Sequence, residues 1–237
     1  MTARGVAERL AGVRDRIAAA GAKPGDVTVV AVTKGHGAAA ALAALDAGLL
    51  DVGENYAADL NATVAALTGA VPATPLGGPL GPGGGQPARF HFLGRVQRNK
   101  VKGIAGVVDL WQGVDRSAAG REIARRSPGV AVLVQVNLSG EPQKNGCRPD
   151  ELAPLVDELA GMGLEVRGLM GVGPAGRPED ARPGFRTLVA LADRLGLAER
   201  SIGMTDDFEV AVAEGATMIR LGRALFGPRN GAYDLRR

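Results

Sequence analysis

Hydrophobic positions along this chain follow two alternating rhythms, short unbroken apolar runs and longer stretches with an apolar residue every three or four positions. The opening segment, MTARGVAERLAGVRDRIAAAG, spaces Val6, Leu10, Val13 and Ile17 at helical intervals with arginines and acids between them. That spacing predicts an amphipathic surface helix rather than a secretion signal. VTVVAVT (27–33) follows, a β-branched run without polar alternation, as a parallel strand buried on both faces requires. A helical stretch at 37–47 comes next. The same alternation continues with strands at 51–54, 89–94, 107–112, 131–138, 165–172, 200–204 and 217–222. Helices at 55–68, 97–105, 116–126, 150–162, 179–195 and 206–214 separate them.

Eight strands alternating with helices over 237 residues favour a single α/β domain closed into a (β/α)8 TIM-type barrel, with an extra N-terminal helix, over an open doubly wound sheet. The whole chain, 1–237, reads as that one domain. GAVPATPLGGPLGPGGGQPA (69–88) is aperiodic and rich in Gly and Pro, which predicts a flexible loop between a helix and a strand. No internal repeat is visible beyond the alternation itself.

Composition narrows the function classes. A formal charge of +3 suggests nucleic acid at first sight, but Lys and Arg are scattered and aromatics, which stack on bases, make up only 3%. Nucleic-acid binding is therefore not expected. The apolar run around 38–50 is interrupted by Asp46 and is too short to cross a bilayer, so no membrane segment is expected either. With Cys147 as the only cysteine, neither an intramolecular disulfide nor a thiolate metal cluster can form, and a cytoplasmic setting is expected.

Barrel enzymes place reactive groups at the C-terminal ends of strands, so position along each strand is a test of function. Lys34 directly follows an apolar strand, where partial desolvation would suit an amine that forms a Schiff base; by itself it also reads as a surface lysine. GENY (53–56) closes the second strand and offers Asn55 as donor and acceptor, although it equally suits a helix start. His91 lies within HFLG (91–94), where a histidine bonded within the core is the commoner case. Gln97, Asn99 and Lys100 fall in the first turn of a helix near the mouth, or simply on a solvated face. Asn137 begins a turn-rich segment, NLSGEPQKNG (137–146), and could point into the mouth.

The loops after strands seven and eight are where barrels often hold phosphate. GMTDD (203–207) supplies Met204, a hydroxyl at Thr205 and a helix start that attracts an anion, though Thr205 or Asp206 could be a plain N-cap. RLGRALFG (220–227) places Arg220 inside a strand, with Gly222 and Arg223 just after it. Burying that arginine without function would need an unseen carboxylate partner. Together these residues describe a ligand with an aldehyde for Lys34, a phosphate for the last loops and a flat polar ring between. Pyridoxal 5'-phosphate (PLP) has those parts, and a class I aldolase substrate site would share the lysine and the phosphate.

AVTKG at Lys34, GENY, FHFLGRVQRNK (90–100), NLSGEPQKNG, RGLMGV (167–172) and GMTDDFEVAVAEGATMIRLGRALFG (203–227) together resemble the pyridoxal phosphate homeostasis protein family, in order from about residue 5 to 229. The resemblance implies the barrel of the alanine racemase N-terminal domain and a Schiff base between PLP and Lys34. It further implies Arg220 facing the pyridine nitrogen, Thr205, Gly222 and Arg223 around the phosphate, and His91 and Asn55 lining the ring. The family usually has serine at the Thr205 position, which keeps the hydroxyl. It usually has threonine where this chain has Arg223, so that detail of the phosphate site differs.

Two functions share this cofactor: a PLP carrier acting in vitamin B6 homeostasis, and an amino-acid racemase or related fold-type III enzyme. Guanidinium at the ring nitrogen donates a hydrogen bond without protonating the ring, which weakens it as an electron sink. Racemisation also needs an acid/base on each face of the substrate carbon, and related racemases bring a tyrosine from an added β-domain. The tyrosines here are Tyr56 and Tyr233, neither clearly placed for that task, and little chain follows the last strand. The expectation is therefore a monomeric carrier, with PLP and PLP-dependent apo-enzymes as partners, rather than an enzyme; a weak side activity stays compatible with it.

Overall fold

A computed structural model describes residues 2–70, 87–141 and 144–228. Most of the Gly/Pro-rich segment, 71–86, and Tyr233 lie outside the described residues. Eight parallel strands, β1 (Thr28–Val32), β2 (Asp51–Glu54), β3 (Arg89–Phe92), β4 (Leu110–Val114), β5 (Ala131–Gln135), β6 (Glu165–Met170), β7 (Glu199–Ser201) and β8 (Met218–Leu221), pair in sequence order. β8 pairs back onto β1, with Val30 opposite Arg220, and the barrel is closed. The expected strand set is present, and every strand is joined to the next through a helix on the outside.

The connecting helices are α2 (Ala38–Asp46), α3 (Ala57–Ala70), α4 (Arg98–Val101), α5 (Ser117–Arg126), α6 (Leu152–Gly161), α7 (Arg182–Arg194) and α8 (Phe208–Ala213), with α1 (Ala3–Ala19) before β1 and α9 (Arg223–Phe226) after β8. The N-terminal helix α1 buries Val6, Leu10, Val13 and Ile17. Its polar face is tied down as well. Arg9 donates to the Leu225 carbonyl at 3.1 Å, and Arg16 pairs with Glu209 at 2.6 Å while lying over the Phe208 ring. α1 thereby covers the seam where β8 returns to β1.

β3, β5, β6 and β7 end at Phe92, Gln135, Met170 and Ser201, short of the expected 94, 138, 172 and 204, and two further differences are larger. The helix expected over 97–105 stops at Val101 and gives way to turns, because Gly103 and Gly106 interrupt it and Val107 packs against the core instead of starting a strand. β4 then begins at Leu110, after the Asp109 carboxylate has accepted the Phe90 amide at 2.7 Å. The second difference is α9, a short helix directly after the last strand, where no helix was expected.

Side chains alternate between two cores. Val30, Leu110, Ala131, Leu133, Met170 and Met218 fill the barrel interior. Trp111, Phe90, Phe185 and Phe208 pack in the layer between barrel and helices. Inward residues therefore run at every second position, and the same parity carried past the strand ends sets which residues reach the mouth.

Candidate functional site

A cavity of about 680 Å³ opens at the C-terminal ends of the strands. Lys34, Asn55, Met204, Thr205, Arg220, Gly222 and Arg223 all line it, so seven of the eight site residues expected from sequence meet in one place. The structure adds Val32, Leu93, Gln135, Asn145, Met170 and Asp206 to its walls. Lys34, Arg95, Arg220 and Arg223 outnumber the single carboxylate Asp206 in the lining, so the cavity suits an anion.

Lys34 reaches the mouth by strand parity, following Val30 and Val32 on the inward face. Thr33, pointing the other way, donates to Glu54 Oε1 at 2.6 Å and pins the strand end. Lys34 itself is half-buried, and among the described residues its ammonium makes no hydrogen bond or ion pair. Its nearest distinctive contact is the Tyr56 ring, 5.0 Å from Nζ to the centroid. Asn55 is brought close by Gly94: a Cβ there would sit 2.0 Å from the Asn55 carbonyl oxygen, so only glycine permits the approach.

On the opposite rim, Gly203 adopts a φ of 92° and a Cβ on it would meet Ala211 at 2.7 Å. This turn sends Met204 and Thr205 across the mouth. Thr205 Oγ1 accepts the Ala224 amide at 3.2 Å, which joins the loop after β7 to the start of α9. Arg223 forms an ion pair with Asp206 at the exposed edge. The helix expected to open this site, α8, starts only at Phe208; Asp207 caps the turn before it by accepting the Met204 amide at 2.6 Å.

Arg220 is buried, yet among the described residues no carboxylate is hydrogen-bonded or ion-paired to it. Its NH1 donates to the Ser201 carbonyl at 2.6 Å and to Ser201 Oγ at 2.7 Å, and NH2 donates to the Gly171 carbonyl at 2.8 Å. Neutral acceptors take the place of the anionic partner that sequence reasoning required. Burial pulls its pKa down to about 10, with the field of Asp207 opposing, so the group remains a cation at neutral pH.

His91 is a correction. It was expected at the ring, but it lies one layer below the mouth and does not line the cavity. Leu93, two residues further on the same face, occupies the mouth position instead. His91 belongs to a hydrogen-bonded chain that runs down the barrel from Arg220. Ser201 Oγ donates to Gln112 Oε1 at 2.7 Å, and the Gln112 amide donates to His91 Nδ1 at 2.7 Å. The imidazole proton is then on Nε2, which donates to Asp51 at 3.0 Å. Arg89 grips the same carboxylate with bonds of 2.7 and 2.6 Å. Burial alone would raise the pKa of Asp51, but the bonds from His91 and Arg89 outweigh it and hold the group down at about 2. The sequence signal for this bonded series was Gln112, the one polar residue of an otherwise apolar strand; Ser201 sits in the polar strand β7 (Glu199–Ser201) and gave no such signal.

Asn137 also differs from expectation. Its amide donates to the Glu141 carbonyl at 2.8 Å while its oxygen accepts from Ser139 and Gly140, so it organises its own loop rather than the cavity. Lys144 pairs with Glu141 in that loop. Gln97 and Lys100 line a separate cavity outside the barrel. Cys147 is buried, and burial with nearby acids pushes its thiol up to about 12, leaving it unreactive at neutral pH.

Behind Lys34, Glu54 is buried with Thr33 and Thr63 donating to Oε1 at 2.6 and 3.1 Å, while Oε2 has no hydrogen-bond partner among the described residues. Burial pushes its pKa up to about 7, against the lowering effect of both hydroxyls and of Lys34. Between the ordinary carboxylate value of 4.5 and about 7 the folded chain holds a proton that the unfolded chain has released. Stability from this group is complete below the lower value and is lost as pH rises through the upper one. Glu54→Gln, which keeps an acceptor for both threonines, is expected to flatten that fall and to stabilise the protein at pH ~8 by about 2 kcal/mol, or roughly 5 °C in Tm. Thermal melts of both proteins across pH ~5 to ~8.5 check this; parallel curves would sink it.

The sequence model for the alanine racemase N-terminal domain matches residues 9–230. The pyridoxal phosphate homeostasis protein of Deinococcus radiodurans is 38% identical over 224 residues, 92% of this chain and 97% of that one. This chain belongs to the pyridoxal phosphate homeostasis protein family. A family member from Escherichia coli is 34% identical over 248 residues, covering 95% of this chain and 97% of its own. Among solved structures, PipY of Synechococcus elongatus with PLP bound superposes with a TM-score of 0.75 at 29% identity, covering 94% of this chain and all of that one. Alanine racemase of Bacillus anthracis, 15% identical with a TM-score of 0.68, shares the fold over 98% of this chain and 58% of its own. Among the described residues no helix is long and apolar enough to cross a membrane.

Proposed function

We propose that this protein binds PLP covalently through Lys34 and serves PLP homeostasis by holding and handing over the cofactor. The observation that carries this reading is a lysine amine that has no hydrogen-bond or ion-pair partner among the described residues, placed in the same cavity as Thr205, Gly222 and Arg223. The residues present fit the group. Lys34 would hold the aldehyde, Arg220 would donate to the pyridine nitrogen, Asn55 and Leu93 would flank the ring, and Thr205, Gly222 and Arg223 would receive the phosphate. When bound, PLP supplies a reactive aldehyde conjugated to an electron-accepting ring.

A carrier fits these surroundings better than an enzyme. Arg220 stays protonated and passes no proton to the ring, which leaves the ring a weak electron sink. Lys34 is the one lysine in the lining, and Tyr56, its neighbour, stands beside it rather than across the cavity. The mouth is open to solvent, which suits transfer of the cofactor to PLP-dependent apo-enzymes. The reading includes a cytoplasmic monomer.

The deciding experiment mixes PLP-loaded protein with the apo form of a PLP-dependent enzyme. Activity of that enzyme is expected to appear as the bound cofactor leaves this chain, within minutes to hours. Absence of transfer would leave a scavenger rather than a carrier. Stereospecific turnover of a D- or L-amino acid well above the rate with free PLP would replace the carrier reading with a racemase-type enzyme.

A further inference from the structure

A second cavity, of about 330 Å³, lies outside the barrel between β3, β4 and the helices α3 and α4. Phe92 and Trp111 form its floor, their rings tilted and 5.5 Å apart, and Val101 and Ile104 close the side. Both rings are on the outward faces of their strands, because His91 and Gln112, one position away on each, are bonded to each other inside the barrel. A space of this size is far larger than the packing gaps of a protein interior and falls within the range of small-molecule sites.

The rim is polar and its free donors are cationic or neutral. Lys100 and Gln97 make no side-chain hydrogen bond or ion pair among the described residues. Arg95 engages Asp115 through Nε at 3.4 Å, which leaves its terminal nitrogens available. Asp59, on the same rim, is already engaged. Asn55 and Arg95 line this cavity and the barrel mouth alike, so an occupant would press on a wall of both.

We propose that this cavity binds a small organic carboxylate with an apolar body, the acid held at the rim by Lys100 and Gln97 and the body resting on Phe92 and Trp111. The floor selects an apolar or aromatic body by burial, and the rim selects a negative head by charge. The site stands independently of what fills the barrel mouth. Because Asn55 and Arg95 belong to both cavities, its occupancy is also expected to alter the rate at which the mouth releases its own ligand.

Trp111 is the only tryptophan in the chain, so the floor of the cavity carries its own reporter. The full-length protein is titrated with 4-phenylbutyrate, its amide and 4-phenylbutylamine, followed by calorimetry and by Trp111 emission. The carboxylate is expected to give a saturable response, the amide one at least tenfold weaker, and the amine none. Lys100 is exposed, so Lys100→Gln should fold normally and abolish the preference for carboxylate over amide. No saturable response to the carboxylate, or equal binding of acid and amide by the native protein, overturns the proposal. So does an unchanged preference in Lys100→Gln. PLP loading is read separately from its visible absorbance, so a failure at Lys34 and a failure at this cavity are distinguishable.

Discussion

Lys34→Ala is expected to abolish the visible absorbance of lysine-bound PLP and to weaken PLP binding at least a hundredfold, equivalent to about 2.7 kcal/mol or more. The expectation rests on the cavity having one primary amine, since Lys34 is the only lysine among its lining residues. Residual weak binding is expected, because Thr205, Gly222, Arg220 and Arg223 remain to receive the phosphate and ring. Stability should hardly change: Lys34 makes no hydrogen bond among the described residues, and its contact with Tyr56 is at a partly exposed site, worth about 0.5–1 kcal/mol. Absorbance spectra and a PLP titration of native and variant protein check this. A visible band that survives the substitution would place the covalent linkage elsewhere.

Arg220→Leu is expected to cost about 3 kcal/mol of folding stability and to shift the spectrum of bound PLP. Removing the guanidinium takes from the Gly171 carbonyl the donor that reaches it, leaves the Ser201 carbonyl with the Gly171 amide alone at 3.1 Å, and takes one bond from Ser201 Oγ. The loss should spread, because Ser201 also orients Gln112, which in turn fixes the tautomer of His91. Arg220→Lys keeps the charge but offers a single ammonium where two nitrogens reach carbonyls on two different strand ends. It is expected to recover only part of the stability and of the native spectrum. Denaturant unfolding and absorbance of the three proteins test this. Full recovery with lysine would mean that charge alone, not the forked geometry, is what the site uses.

The rest of the site differs in how far it could be read in advance. Lys34, Asn55, Thr205, Gly222 and Arg223 were legible because each follows the C-terminal end of a strand, and strand ends in a parallel barrel converge on one mouth. Arg220 was legible as a buried cation, but its partners were not. A carboxylate was the natural expectation, whereas the acceptors are two backbone carbonyls and a hydroxyl. Backbone acceptors carry no residue-type signature, so no pattern of side chains could have revealed them. His91 shows the opposite case: its strand and its inward direction were readable, but its depth was not. Depth depends on register, which pairs His91 with Gly53 and Leu110 and leaves Leu93 at the rim.

What the sequence by itself determined is the succession of elements. Apolar runs, separated by helical periods, dictate the parallel strands and a helical coat; local pattern is enough for β1, β4 and β5, whose burial on both faces is written in their own residues, while the short polar β7 (Glu199–Ser201) takes its place from the alternation around it. Only the tertiary structure decided the height of each side chain along the barrel axis. It alone assembled the bonded chain from Arg220 to Arg89, and it alone opened the second cavity over Trp111. These features join residues from distant strands, and their separation in space follows from barrel closure and strand register, quantities that no short stretch of sequence contains.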